Sequence, residues 1–527
     1  MTSETPSSLE SELRAAIGNQ AWTEVVDTIE ARWADLTQWN QAVLVDAVNA
    51  LPATVLAENP RLSAAKTYVN YLPVNRDVRP ARFRHAPAAG RGAVLDVLAD
   101  LTSRSVSARF EGDLPEAVAL VHEALAALKK TPDEEMASIS PVIPDIRVQW
   151  AITLELAGEL VDANRMYERT FDEALAVSNR RIATKAAGTL ALNYALAGAR
   201  LEAEKWLHRE PAPDSTADDS TNPVSVDTVR TTGGLARALL AANDLRFDDA
   251  SEALGDAPSA EIDRETWALR LYVESVLARA SGRARQQLTD VSTTLGTQPE
   301  RHRTTGLNGW LAITATAELQ LALGDVRAAH QSIMQLGSFG PLTEVDPARV
   351  LRAWIALRQG DARKALLIAG PGLTQPLSSP RIRAELLLVL SAASLALKQQ
   401  HNAELHFDAA VEILAQEGLA IVLLRLTEEE RGALLRTRSR SFDARVLNQL
   451  ETLASVITAP VAVSLTKRER VVLRYIVQGL GPTEIATAEH LSRNTVKGQV
   501  SSLYRKLGVT DRDGALTAAM AAPHLLA

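Results

Sequence analysis

The sequence contains no cysteine, which excludes disulfide bonds, thiolate zinc sites and cysteine nucleophiles together. It contains no Gly-Lys pair, so a phosphate-cradling Walker A loop in its usual form is excluded. HExxH, GxSxG and GxGxxG are also missing, and with them the usual signals of zinc proteases, serine hydrolases and dinucleotide binding. Strand-like alternation of period two is scarce. No alternating strand–helix pattern opens the chain, which argues against a phosphoacceptor receiver domain. Long apolar runs are absent too. The longest, Leu386–Leu397, is interrupted by two serines and flanked by Glu385 and Lys398. It falls short of the ~20 apolar residues that a membrane helix needs. Met1–Glu12 is polar and acidic, unlike a basic-then-apolar secretory signal. The expectation is a soluble, cytoplasmic protein that is not an enzyme and needs no cofactor or metal. His122, His208 and His330 read as surface or packing residues, not ligands.

What is present is helix. The 527 residues are 46% hydrophobic, enough for a substantial core and for several domains. Before the last sixty residues alanine and leucine dominate and breaks are short. A layout recurs in Gly112…Ala117, Gly158…Ala163, Gly198…Ala203, Gly324…Ala329 and Gly360…Ala365. An apolar helix ends near the glycine, a polar turn follows, and a second helix begins before the alanine. Four residues on stand Val121, Tyr167, Leu207, Ile333 and Ala369. Ala250 and Ala403 extend the series with weaker turns, followed by Leu254 and Phe407, and Gln287 fills the gap. A small residue against a turn glycine lets two helices approach closely, and one hairpin alone cannot bury its apolar face, so hairpins stack. The pattern resembles tetratricopeptide repeats with a period longer than their usual ~34 residues. Ala21–Leu36 reads as one more, atypical, member.

Two stretches break the series. Pro73–Gly92 is rich in arginine and proline and reads as a solvated loop between an N-terminal helical unit, 1–72, and a main solenoid, 93–457. Glu210–Val224 is polar and acidic and reads as an excursion from the stack. The eight tryptophans read as core fillers, although one or two could line a concave face and hold an effector. Pro460 marks a hinge to a third domain, 464–527.

That last domain reads as short helices with tight breaks. Thr466 and Glu469 fit the S/T-x-x-E capping box. The first helix carries Val472, Leu473, Ile476 and Val477 on its buried side and stops at Gly479. The second begins at Pro482 and turns Ile485 and Ala486 inward. Ser492 is a good N-cap for a third, in which Val496, Val500, Leu503 and Leu507 form one buried stripe. Asn494, Lys497, Gly498, Ser501 and Arg505 fall on the opposite side. A short helix, a turn and a longer helix with small and basic residues outward is the plan whose second helix enters the major groove of DNA. From Ser464 to Ala527 there are nine Lys/Arg against five Asp/Glu, whereas the whole chain is −8. A basic module on an acidic body suits phosphate binding.

The LTxRE start, the GL before the second helix, EIA, SxNTVK, YRKLGV and Arg512 resemble the LuxR-type DNA-binding domain over roughly Ser464–Met520. Two positions depart from the family pattern. Glu489 stands where a buried leucine is usual, with Ala488 expected to turn inward in its place, and Gln499 stands where histidine is usual. Large regulators of this type also carry an ATPase domain, and this chain has no motif for one. The resemblance implies an all-α protein: a tetratricopeptide-like solenoid followed by a small four-helix LuxR-type helix-turn-helix domain. The expected function is transcriptional regulation. Lys467, Arg493, Asn494, Thr495, Arg505 and Lys506 would meet phosphates, Ser492 would belong to the same DNA-binding set, and Lys497 would read bases with Gly498 and Ser501 alongside. The resemblance further implies a homodimer on double-stranded DNA, paired through the helix from Arg512 to about Met520. An unknown effector or protein partner would act on the solenoid. The alternative is an interaction scaffold whose terminal domain is a secondary contact.

Overall fold

The computed structural model describes residues 6–39, 41–59, 62, 66, 94–211, 223–255, 265–336, 347–374, 379–438, 442, 444–457, 465–507, 509 and 511–521. The arginine-rich Pro73–Gly92 stretch, the centre of the acidic Glu210–Val224 stretch and the Pro460 segment lie outside the described residues. The described chain is helical, with no strand among the described residues. Two compact units emerge, Met1–Ile457 and Thr458–Ala527. Among the described residues no helix is long and apolar enough to cross a membrane.

In the first unit inner helices alternate with outer ones. The pairs are Val94–Phe110 with Leu114–Lys129, Ile143–Ala157 with Leu160–Ala176, and Arg180–Ala197 with Arg200–Arg209. Then come Pro223–Asn243 with Phe247–Gly255, Trp267–Ala280 with Ala284–Thr297, and Gly306–Ala322 with Val326–Met334. Pro347–Arg358 with Ala362–Ala369 and Pro380–Ala396 with Gln400–Gln416 complete eight helical hairpins among the described residues. The two kinds of helix differ as their sequences require. Ile143–Ala157 is buried at every residue except its last, and the polar groups it buries are partnered: Asp145 by Asn179, Arg147 by Glu173, Gln149 by Arg109 and Glu155 by Tyr167. Its partner buries one stripe, Ala163, Tyr167, Thr170, Phe171 and Ala174, and leaves its charges outward. The apolar run Leu386–Leu397 belongs to an inner helix of the same kind.

The turns obey one backbone rule. Positions 112, 158, 198, 245, 282, 324, 360 and 398 all have positive φ, between 61° and 88°. Five residues after each stands a buried residue: Ala117, Ala163, Ala203, Ala250, Gln287, Ala329, Ala365 and Ala403. Glycine enters this conformation freely, whereas a side chain costs roughly 1–2 kcal/mol there. Leu245 and Lys398 adopt it nonetheless, at φ 61° each, which explains why these two turns are weak signals in the sequence. Gly198 is also a point of close approach, since a Cβ there would lie 2.9 Å from side-chain carbons of Arg381 and Leu419. Of the residues one turn further on, Val121, Tyr167, Ile333, Ala369 and Phe407 are buried, while Leu207 and Leu254 are half-buried. Ala21–Leu36 lies in a single helix, Trp22–Trp39, that packs on Pro6–Gly18. With Gln41–Ala50 these helices enclose a small core of Leu13, Ile29, Leu36 and Leu44 that also takes in Val106.

Hairpins far apart in sequence also touch. Arg381 donates from Nε to the Leu196 carbonyl at 3.0 Å and from Nη2 to Asn243 Oδ1 at 2.8 Å. Arg109 donates to Glu265 at 2.7 Å and to the Gln149 carbonyl at 3.0 Å. His302 Nε2 lies 2.8 Å from the Phe110 carbonyl oxygen. Trp150, Trp206, Trp267 and Trp354 fill the core between these contacts.

The backbone rule is directly testable. Gly360 has φ 86°, and nothing lies within 4 Å of where a Cβ would stand. Gly360→Ala therefore isolates the backbone cost and should destabilise by about 1–2 kcal/mol. Lys398→Gly should raise stability, by up to about 1 kcal/mol once glycine's greater unfolded-state freedom is subtracted. Thermal unfolding of both variants checks this, and a Lys398→Gly protein less stable than the parent would contradict it.

Candidate nucleic-acid interface

Among the described residues the second unit holds four helices, Lys467–Val477, Pro482–Ala488, Arg493–Leu507 and Arg512–Ala521. Their shared core is Leu465, Val472, Leu473, Ile476, Ile485, Ala486, Val496, Leu503, Ala515 and Ala519, with Val500 and Leu507 half-buried against it. Val477 does not join it. It is 41% exposed at the last residue of the helix. The first helix closes with Gly479 at φ 97°, whose amide bonds the Ile476 carbonyl while the Leu480 amide bonds that of Tyr475. This paired closure is the Schellman motif.

The second helix repeats the device without glycine. His490 stands at φ 54°, and the Leu491 amide returns to the Ala486 carbonyl at 2.9 Å. The chain thereby reverses tightly into Ser492, whose Oγ accepts from the Thr495 amide at 3.1 Å and lies 2.7 Å from Thr495 Oγ1. Glu489 and Ala488 are both exposed, so Ala488 does not turn inward. Glu489 instead accepts the Tyr475 hydroxyl at 2.9 Å. A carboxylate is thus accommodated at the surface by a phenol one helix away.

The third helix presents Arg493, Asn494, Lys497, Gly498 and Ser501 on one exposed side, with Ser492 and Thr495 exposed at its start. Among the described residues neither Arg493 nor Lys497 is held by an ion pair. Nothing lies within 4 Å of where a Gly498 side chain would begin. The described residues of this unit leave that outward face uncovered. Lys467 is exposed at the start of the first helix. The Arg505 side chain lies outside the described residues. The Lys506 ammonium is bound to Glu469 at 2.7 Å, and its side chain stays 36% exposed.

Glu469 has a larger part than its place in a capping motif suggests. Its carboxylate completes the expected capping box, accepting from the Thr466 amide at 2.8 Å and the Thr466 hydroxyl at 2.9 Å. It also accepts from Ser502 Oγ at 3.0 Å and Lys506 Nζ at 2.7 Å. One buried carboxylate thus ties the start of the first helix to the C-terminal half of the third. The S/T-x-x-E spacing signals the local half of this cluster, and no local pattern signals the rest. Arg512 adds a second tie, donating to the Ile476 carbonyl at 3.4 Å.

Burial alone would raise the Glu469 pKa. Lys506, the Thr466 amide and hydroxyl, and Ser502 outweigh it and hold the carboxyl at about 2. A depressed folded-state value means that the stabilisation is complete above the ordinary value of 4.5 and is lost as pH falls towards about 2. Protection of the Arg493–Leu507 amides against hydrogen exchange should therefore decline across that acid window in the full-length protein. Glu469→Gln should flatten this decline and cost about 1–3 kcal/mol at neutral pH. An unchanged acid profile in the variant would remove Glu469 from this role.

Residues 463–519 match the family described as bacterial regulatory proteins, luxR family. Over 62 residues the chain is 47% identical to the probable transcriptional regulatory protein NarL of Mycobacterium tuberculosis strain CDC 1551 / Oshkosh, and equally to the protein of that name from strain ATCC 25618 / H37Rv. The matched stretch is 12% of this chain and 29% of each relative, so the chain spans less than a third of the length of these relatives. The luxR-family match lies wholly within the Thr458–Ala527 unit.

Proposed function

We propose that this protein is a DNA-binding transcriptional regulator whose C-terminal unit reads the major groove with the Arg493–Leu507 helix. The observation that carries the reading is the open face of that helix: exposed Arg493, Asn494, Lys497 and Ser501 around the bare backbone of Gly498, within a luxR-family match. Arg493, Asn494 and Thr495 at the helix start suit phosphate oxygens, which attract cations and helix N-terminal amides. Lys497, one turn further in, reaches base edges and can donate to guanine O6 and N7. The helix backbone approaches the bases at Gly498, where any side chain would stand between them. Two copies pair on DNA through the Arg512–Ala521 helix and read two half-sites, as helix-turn-helix dimers do. The stacked hairpins of the first unit act as a tetratricopeptide-like sensing body in the cytoplasm, with binding rather than catalysis as their task.

Duplexes selected from a random pool by the full-length protein supply the test site. Lys497→Ala should weaken the selected site by about 1–3 kcal/mol and relax preference at one base pair. Arg493→Ala should weaken all duplexes alike and reduce the log–log salt slope by about 1. Gly498→Ala separates folding from recognition. It should stabilise the helix by up to about 1 kcal/mol yet lower affinity for DNA. Anisotropy titrations at several salt concentrations measure all three. No enrichment of any duplex at low salt would overturn the reading.

A further inference from the structure

Within the first unit, hairpins distant in sequence line an open cavity of about 630 Å³. Sites for small molecules are clefts or cavities of roughly 300–1,000 Å³. We propose that this cavity is a binding site for an uncharged, amphipathic small molecule with an apolar body and one hydrogen-bonding end. The inference concerns the first unit alone and does not depend on DNA binding by the second.

The walls support the apolar body. Leu307, Leu311, Val350 and Leu351 are buried and line the space, and the half-buried ring of Trp310 stands beside them. The rim is marked by Val161, 54% exposed, with Asp162 and Arg165 paired at 3.1 Å in solvent. A route to the outside is therefore present.

The polar end follows from what is already satisfied and what is not. Glu318 is held by Arg279 at 2.6 Å and by Arg425. Glu385 lies 3.1 Å from the Arg425 guanidinium. Arg381 directs two donors to the Leu196 carbonyl and Asn243 Oδ1. Burial, acting first, pushes the Tyr272 phenol well above its ordinary range, so it remains a neutral hydroxyl. Arg425 Nε makes no hydrogen bond, but its charge is matched by Glu318 and Glu385. Two neutral atoms, Thr314 Oγ1 and Asn193 Oδ1, are buried, line the cavity and have no hydrogen-bond partner. A buried polar atom without a partner is costly. An N–H or O–H on the ligand satisfies both kinds of acceptor, whereas an ion would have to compete with ion pairs already made.

The test uses two probes of one skeleton with the full-length protein. N-phenyl-1-naphthylamine is neutral, apolar and carries one N–H, and its anilinonaphthalene sulfonate analogue adds a negative charge. The neutral probe should bind saturably at one site per chain, brighten, and quench tryptophan emission by energy transfer. The sulfonate should bind on the order of tenfold more weakly or worse, since burying an unpaired charge is unfavourable. Ala197→Trp, which fills the cavity from its wall, should abolish neutral-probe binding while helical circular dichroism is kept. Thr314→Val keeps the shape, so it decides the matter if the tryptophan variant does not fold. It should weaken the probe roughly threefold to tenfold by removing one hydrogen bond. Absence of one-site binding, or binding unchanged in a folded Ala197→Trp protein or in Thr314→Val, overturns the site. A sulfonate that binds as tightly as the neutral probe overturns the ligand class.

Discussion

Close approach between helices governs this molecule, and a left-handed turn residue makes it possible. Every inner helix of the eight hairpins ends in one such residue, with a buried residue five positions later, alanine in all but one case. The turn reverses the chain in a few residues, and the small side chain lets the returning helix lie against its neighbour. Inner helices can then be buried on all sides, as Ile143–Ala157 is, and outer helices need only one apolar stripe. A chain with 4% aromatic residues thereby fills its core mainly with alanine and leucine, and four buried tryptophans close the larger gaps.

The polar contacts between distant hairpins have a different character. Arg109, Arg381, Glu318 and Glu385 are buried, Arg425 is half-buried, and each has a polar or charged partner. Such groups gain little net stability, because desolvation offsets most of the attraction. Their directional bonds instead select which hairpins face each other. Four of these groups, Glu318, Arg381, Glu385 and Arg425, line the cavity.

The C-terminal unit solves a related problem with fewer residues. Its turns at Gly479 and His490 are again left-handed, and Glu469 joins the first helix to the third through four donors. The consequence is a rigid support beneath a helix whose opposite face is unoccupied. Lys506 takes part in that support, and Arg493 and Lys497 are exposed cations without an ion pair among the described residues.

Local chemistry makes much of this legible from the amino acids alone. Capping by Thr466 and Ser492, the start at Pro482, the stop at Gly479 and the Gly-to-Ala layout each depend on residues within five positions of one another, so the chain itself states them. The helix-turn-helix unit and its outward residues follow from the same short spacings. Val477 and Ala488, each the last residue of its helix, are exposed, although the apolar stripe assigns the first a buried place and the exchange with Glu489 assigns one to the second. Leu245, Lys398 and His490 in left-handed turns are hidden in the sequence because their conformation is imposed by packing against preference. Only the tertiary structure decided that Arg381 meets Leu196, that Lys506 meets Glu469 and that a cavity opens beside Thr314. Those partners are separated by tens to hundreds of residues, and no local pattern distinguishes one distant partner from another until the helices are packed.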